Sequence, residues 1–261
     1  MINLFDIACN FSSNRFDNDL NEVIQRAKNN NVTKFLVVSA SLKDAEKVHR
    51  IYQDNKDSCF FTIGVHPHHA NEFDSLSSEE MIKLIEEYKP HSIGETGLDF
   101  FRNVSSYEEQ LYAFDEQIKI AIETNLPLFL HQRDAHEDFI DCLNKETPRT
   151  KCVVHCFTGE KKELFNYLDR DFYIGLTGWI CDPKRGSHLE ELIPLIPLNR
   201  LLIETDSPYL LPKNLKVKGR RNEPAFLNEI LKKVVSERKE SEKKITEMLS
   251  KNSLSFFNLQ Q

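Results

Sequence analysis

With 40% hydrophobic and 29% charged residues, the 261-residue chain has the balance of an ordinary soluble globular protein. It holds no apolar run approaching the roughly 18 residues of a membrane span, so no membrane partner is expected. A net charge of −7 argues against a broadly basic surface that coats nucleic acid, but leaves room for a local basic patch.

From the N-terminus, strand-like runs and amphipathic segments alternate. A strand at 3–9 precedes a helix at 17–30, a strand at 34–39 a helix at 43–55, and a strand at 60–65 a helix at 78–89. Strands at 91–95, 127–131, 151–155, 172–176 and 200–205 follow, each leading to a helix, at 106–124, 134–144, 160–169, 187–193 and 224–236. Ser105 with Glu108 reads as a capping box for the helix at 106–124. A terminal helix turns Ile245, Met248 and Leu249 inward. Such βα alternation specifies a parallel sheet, and no linker or repeat divides it. The expectation is one domain over residues 1–261, an α/β fold closed as a single (β/α)8 TIM barrel. An open doubly wound sheet is the rival, but it would gather its ligands at a switch point rather than at many strand ends.

Those strand ends carry the chemistry. Glu95 shares a strand face with His91 and Ile93, and Gly94 and Gly97 bracket a sharp exit into a loop. Two further strands end in His131 and His155, and the eighth runs through Glu204 to Asp206. Any one of these is more often a surface or core residue. Together they place ligand-type side chains at the C-terminal face of a barrel, where active sites of this architecture lie. Glu, His, His and Asp form an oxygen–nitrogen set for a divalent ion that keeps open positions for water and substrate. Asp206 can also accept a proton from the attacking water, which with Glu95 makes it the centre of the expected catalysis. Glu204 either points into the site or forms a buried ion pair.

Loops add substrate groups. Pro67 fixes a turn that places His66 and His68 above the third strand, facing substrate in preference to metal or solvent; His69 is unassigned. Arg133 sits at the mouth, to take a phosphate oxygen or to pair with a carboxylate at a helix end. After Asp206 comes Tyr209, available to stack on a base, and then a run holding Lys213, Lys216, Lys218, Arg220 and Arg221 with no acidic residue. The six cysteines form no CxxC pair and read as small hydrophobes in a reducing compartment. With no basic leader before the first strand, a cytoplasmic location is expected.

The runs Gly64-Val65-His66-Pro67-His68, Gly94-Glu95-Thr96-Gly97-Leu98-Asp99, His155-Cys156-Phe157-Thr158-Gly159 and Glu204-Thr205-Asp206-Ser207-Pro208-Tyr209-Leu210 together resemble the TatD family of metal-dependent deoxyribonucleases. The resemblance extends over essentially the whole chain. It implies an amidohydrolase-type TIM barrel, 3′→5′ exonuclease trimming of DNA, and Glu95, His131, His155 and Asp206 as metal ligands. Mg²⁺ is the expected ion, with Mn²⁺ or Zn²⁺ acceptable to the histidines. DNA is the expected substrate, RNA a second one, and the protein is expected to work as a monomer. The first strand departs from many members, which carry Asp-x-His-x-His there; this chain has Ala8 and Asn10 at the histidine positions. One firmly held cation, with any second one weak, is the consequence. Two other functions stay open: a D-aminoacyl-tRNA deacylase or other ester hydrolase on the same barrel, and a nucleic-acid-binding protein without turnover.

Overall fold

The computed structural model describes residues 3–259, so the outermost residues of the expected 1–261 domain lie outside it. Its strands are β1 (Leu4–Cys9), β2 (Val32–Val37), β3 (Cys59–Ile63), β4 (Ser92–Asp99), β5 (Leu128–Arg133), β6 (Cys152–Val154), β7 (Tyr173–Leu176) and β8 (Leu201–Ile203). All pairings are parallel and follow chain order from β1 to β8. A parallel bridge between Cys9 and Ser207 joins the two ends of the sheet, and the Asn10 N–H donates to the Ser207 carbonyl at 2.7 Å. The expected barrel is therefore the observed one.

Helices α1 (Leu20–Asn29), α2 (Ala45–Asp54), α3 (Ser77–Tyr88), α4 (Tyr107–Thr124), α5 (His136–Glu146), α6 (Lys161–Leu168), the single turn α7 (Ser187–Glu190) and α8 (Leu227–Ser236) fill the crossovers. The terminal helix α9 (Glu242–Phe256) follows them. None of the described helices is long and apolar enough to cross a membrane. The large outer cluster packs helix faces on the sheet, as Val23 and Ala27 of α1 or Ile230 and Val234 of α8 do. Inside the barrel, Phe5, Leu36, Phe129, Val153, Tyr173 and Leu202 form a second cluster, which α9 joins with Phe256 and Phe257. The Phe5 and Phe257 rings lie 5.6 Å apart, and those of Tyr173 and Phe256 5.2 Å. These aromatics pack around the N-terminal ends of the strands, leaving function to the other end.

Local readings need correction in three places. β4 does not exit after Glu95 but runs through both glycines to Asp99. The β4–β5 register shifts between Ile93 and Thr96, and a Cβ on Gly97 would lie 1.9 Å from the His131 carbonyl oxygen. The glycines thus let two strands approach; they do not end one. β1 is irregular between Asp6 and Cys9, and where a regular strand would turn alternate residues inward, Ile7 and Ala8 both join the inner cluster. The capping box of α4 lies one residue further along, on Ser106 and Glu109, because Ser105 is buried and accepts the Asn71 N–H.

Candidate active site

The strand ends open into a cleft of about 460 Å³ whose lining includes Glu95, His131, His155 and Asp206, and also His66, His68, Arg133 and Tyr209. Its hub is Glu95 Oε1. His155 Nε2 lies 2.6 Å from it, His131 Nδ1 2.8 Å and His66 Nε2 3.3 Å. Burial pushes the Glu95 carboxyl up, but the charge of His155 and His66 and the imidazole hydrogen bonds outweigh it and hold the group well below the usual range. Burial works against a charge on His155 too, yet Glu95 and Glu204 raise it well above an ordinary histidine. On His66 burial prevails and lowers the imidazole to about 4, keeping it in the neutral, ligating form.

Two carboxylates fix the histidines from behind. Glu204 is fully buried; its Oε1 lies 3.5 Å from His155 Nδ1 and accepts the Cys156 N–H at 2.5 Å. It is the buried carboxylate paired with a neighbouring strand, and through His155 it reaches the site from behind. Asp99 Oδ2 lies 2.9 Å from His68 Nε2 and 3.4 Å from His131 Nε2, while its Oδ1 accepts the Arg102 N–H. Burial notwithstanding, His131 and His68 lower the Asp99 carboxyl strongly. Asp99 had no role in the sequence reading. The signal was there in the period-two run Glu95, Gly97, Asp99, hidden by the assumption that the glycines end the strand.

At the eighth strand, burial raises the Asp206 carboxyl to about 7. Asn10 Nδ2 donates to Asp206 Oδ1 at 2.8 Å, so this residue of the altered first strand serves a neighbouring side chain. Behind both, buried Asp6 accepts from the Thr205 N–H at 2.8 Å and from its hydroxyl at 2.5 Å, tying β1 to the loop that carries Asp206.

A ligand-type atom from each of His66, Glu95 and His131 lies within 4.8 Å of the others, which draws His66, placed with substrate on sequence grounds, into the metal-capable set. His131 Nε2 is buried and, although 3.4 Å from Asp99 Oδ2, makes no hydrogen bond of proper geometry. Imidazole and carboxylate donors so gathered, one of them unsatisfied, fit a divalent cation. Cys156 also borders the cleft, but burial pushes its thiol up to about 12. The other cysteines are buried.

The expected substrate groups divide. Arg133 lies at the cleft and packs on Phe101 and Trp179, two aromatics that the sequence reading passed over. Tyr209 stands at the rim, 51% exposed. Lys213, Lys216, Lys218 and Arg220 are exposed and form no ion pair among the described residues. Arg221 does not line the cleft: its guanidinium binds both Asp19 oxygens, at 2.7 and 2.6 Å, and Glu223 at 2.8 Å.

Four imidazoles converging on buried carboxylates at the C-terminal mouth of a parallel barrel make the donor set that a metal-dependent hydrolase of this architecture uses. The family of TatD related DNases matches residues 5–258. The 3′-5′ ssDNA/RNA exonuclease TatD of Pantoea ananatis (strain LMG 20103) is 41% identical over 259 residues, covering 98% of this chain and 100% of that protein. The protein of the same name from Shigella flexneri serotype 5b is 43% identical over 234 residues, 88% of this chain and 90% of that one. Among solved structures, the TatD homolog YJJV from Escherichia coli K12 superposes with a TM-score of 0.91 at 27% identity, over 98% of each chain. The chain belongs to the TatD family of DNases.

Proposed function

We propose that this protein is a metal-dependent 3′→5′ exonuclease that hydrolyses phosphodiester bonds in single-stranded DNA and RNA. The observation that carries the proposal is the convergence of His66, His131 and His155 on one oxygen of Glu95, with Asp206 in the same cleft. Relatives named as such exonucleases support the substrate class.

His66, Glu95, His131 and His155 would hold the cation, Mg²⁺ in preference and Mn²⁺ or Zn²⁺ as substitutes. When bound, it supplies a Lewis acid for the phosphoryl oxygen and a more acidic water. Asp206 takes the proton of the attacking water. Asn10 donates to its Oδ1, leaving Oδ2 for the proton. His68, held by Asp99 and with its side chain 33% exposed, would protonate the leaving 3′ oxygen. Arg133 and Tyr209 hold the strand, and the exposed lysines of the eighth loop draw the polyanion in.

An oligonucleotide labelled at its 5′ end tests this. Stepwise shortening from the 3′ end with added Mg²⁺, and none in chelator, is the expected result. Internal cuts, or shortening from the 5′ end, would reject the polarity. A mischarged tRNA in parallel tests the deacylase alternative, and binding without cleavage under any divalent ion would turn the reading to a non-catalytic binder.

A further inference from the structure

Arg185, Arg200, Arg221 and Arg238 each pair with a carboxylate. Arg133 does not. Its guanidinium carbon lies 4.1 Å from the ring centre of Phe101 and 5.3 Å from that of Trp179, and its N–H groups meet no acceptor among the described residues. Trp179 is itself held, with Arg185 at 4.3 Å over its ring and its indole N–H donating to the Arg185 carbonyl at 3.2 Å. Phe101 is 57% exposed, so part of its ring is open to solvent.

A guanidinium packed on aromatic rings keeps its planar fork of donors set in one orientation, and that fork matches a phosphate. An open aromatic ring beside it offers what every base can use, a stacking surface. We infer that Phe101, Arg133 and Trp179 form a nucleotide subsite: the Arg133 edge takes a backbone phosphate and the open ring of Phe101 stacks the attached base. The subsite rests on the nuclease reading and deepens it, since only an unstacked base, as at a single-stranded end, can enter. Trp179 is the positioning residue that holds the guanidinium.

The test compares two oligonucleotides that differ only in whether their 3′-terminal nucleotides carry bases or are abasic, with the wild type and Phe101→Leu. The wild type should show a KM about tenfold higher for the abasic strand, as loss of one stacked base implies. Phe101→Leu should lose that preference, with the effect in KM rather than kcat. Arg133→Ala should lower the log–log salt slope of binding by about 0.7, one phosphate contact to a single strand. Full wild-type preference in Phe101→Leu, or an unchanged slope in Arg133→Ala, would overturn the subsite. If the wild type cleaves neither strand with any divalent ion, the nuclease reading fails instead, and equilibrium binding of the same two strands then decides the subsite by itself.

Discussion

At the N-terminal end of the barrel, His91 lies among Tyr52, Phe60 and Phe61, with ring centres 5.6, 5.0 and 5.6 Å away. At the mouth, His155 lies 2.6 Å from Glu95 and 3.5 Å from Glu204. Burial disfavours the charged ring at both places. No carboxylate opposes it among the aromatics, where the Phe61 N–H donates to Nδ1, and His91 falls to about 4; the two carboxylates reverse it for His155. The same side chain is thus an apolar wedge at one end and part of a charged network at the other. What separates them is which strand ends carry acids: Glu95, Asp99 and Glu204 all belong to the C-terminal end.

Removing the acid hub should break the contrast most severely. Glu95→Ala leaves three imidazoles without their common partner, and cleavage should fall on the order of 10³-fold or more with metal affinity. His91→Phe, at the other end, should leave activity near wild type. Single-turnover assays across a metal titration check both. Equal losses in the two variants would mean that the ends of the barrel are not functionally distinct.

The next largest effect belongs to His91 and concerns stability. Its folded pKa, about 4, is depressed below the ordinary 6.5. The neutral ring therefore stabilises the fold above pH 6.5, and that contribution is lost as the pH falls through 6.5 towards 4. The loss should reach up to about 3 kcal/mol, at 1.36 kcal/mol per pKa unit. Denaturant melts of wild type and His91→Phe at pH 7 and pH 4 measure it. The variant should lose less stability than the wild type over that window; an equal loss would show that His91 is not a source of the acid sensitivity.

Much of the mouth was legible because strand alternation and βα order are local. Glu95, His131, His155 and Asp206 each end a recognisable apolar run, and a barrel has one end at which such runs finish. What could not be read depends on contacts distant in sequence. The length of β4 rests on how Gly94 and Gly97 lie against Phe129 and His131, so nothing local marks Asp99 as part of the site. Arg221 belongs to a basic run, but Asp19, its partner, lies 202 residues earlier. The stack of Arg133 needs Phe101 and Trp179, which no motif joins. Asn10 stands where a histidine ligand is expected, and its actual partner, Asp206, lies 196 residues further on. Its replacement tests that new placement. Asn10→Ala removes the hydrogen bond that orients Asp206, and activity should drop about 10- to 100-fold, as for partners that orient a metal-site carboxylate. The loss should fall on kcat; a pure rise in KM would make Asn10 a substrate contact instead.

The smallest effects sharpen the comparison at its edge, because the basic run after β8 contains both kinds of residue. Lys216, Lys218 and Arg220 are exposed cations without partners among the described residues, and so remain available to a polyanion. Arg221 resembles the residues at the far end of the barrel in having an internal use: Asp19 and Glu223 occupy its fork, and its side chain is only 25% exposed. Neutralising a lysine that touches phosphate should lower the log–log salt slope of single-strand binding by about 0.7. Arg221→Ala should leave the slope unchanged and cost stability instead, about 1 kcal/mol for a partly exposed bidentate pair. Binding isotherms over a salt series, with a urea melt of each variant, separate the two. If Arg221→Ala lowers the slope as Lys216→Ala does, the Asp19 pair opens when nucleic acid arrives, and the run acts as one basic patch after all.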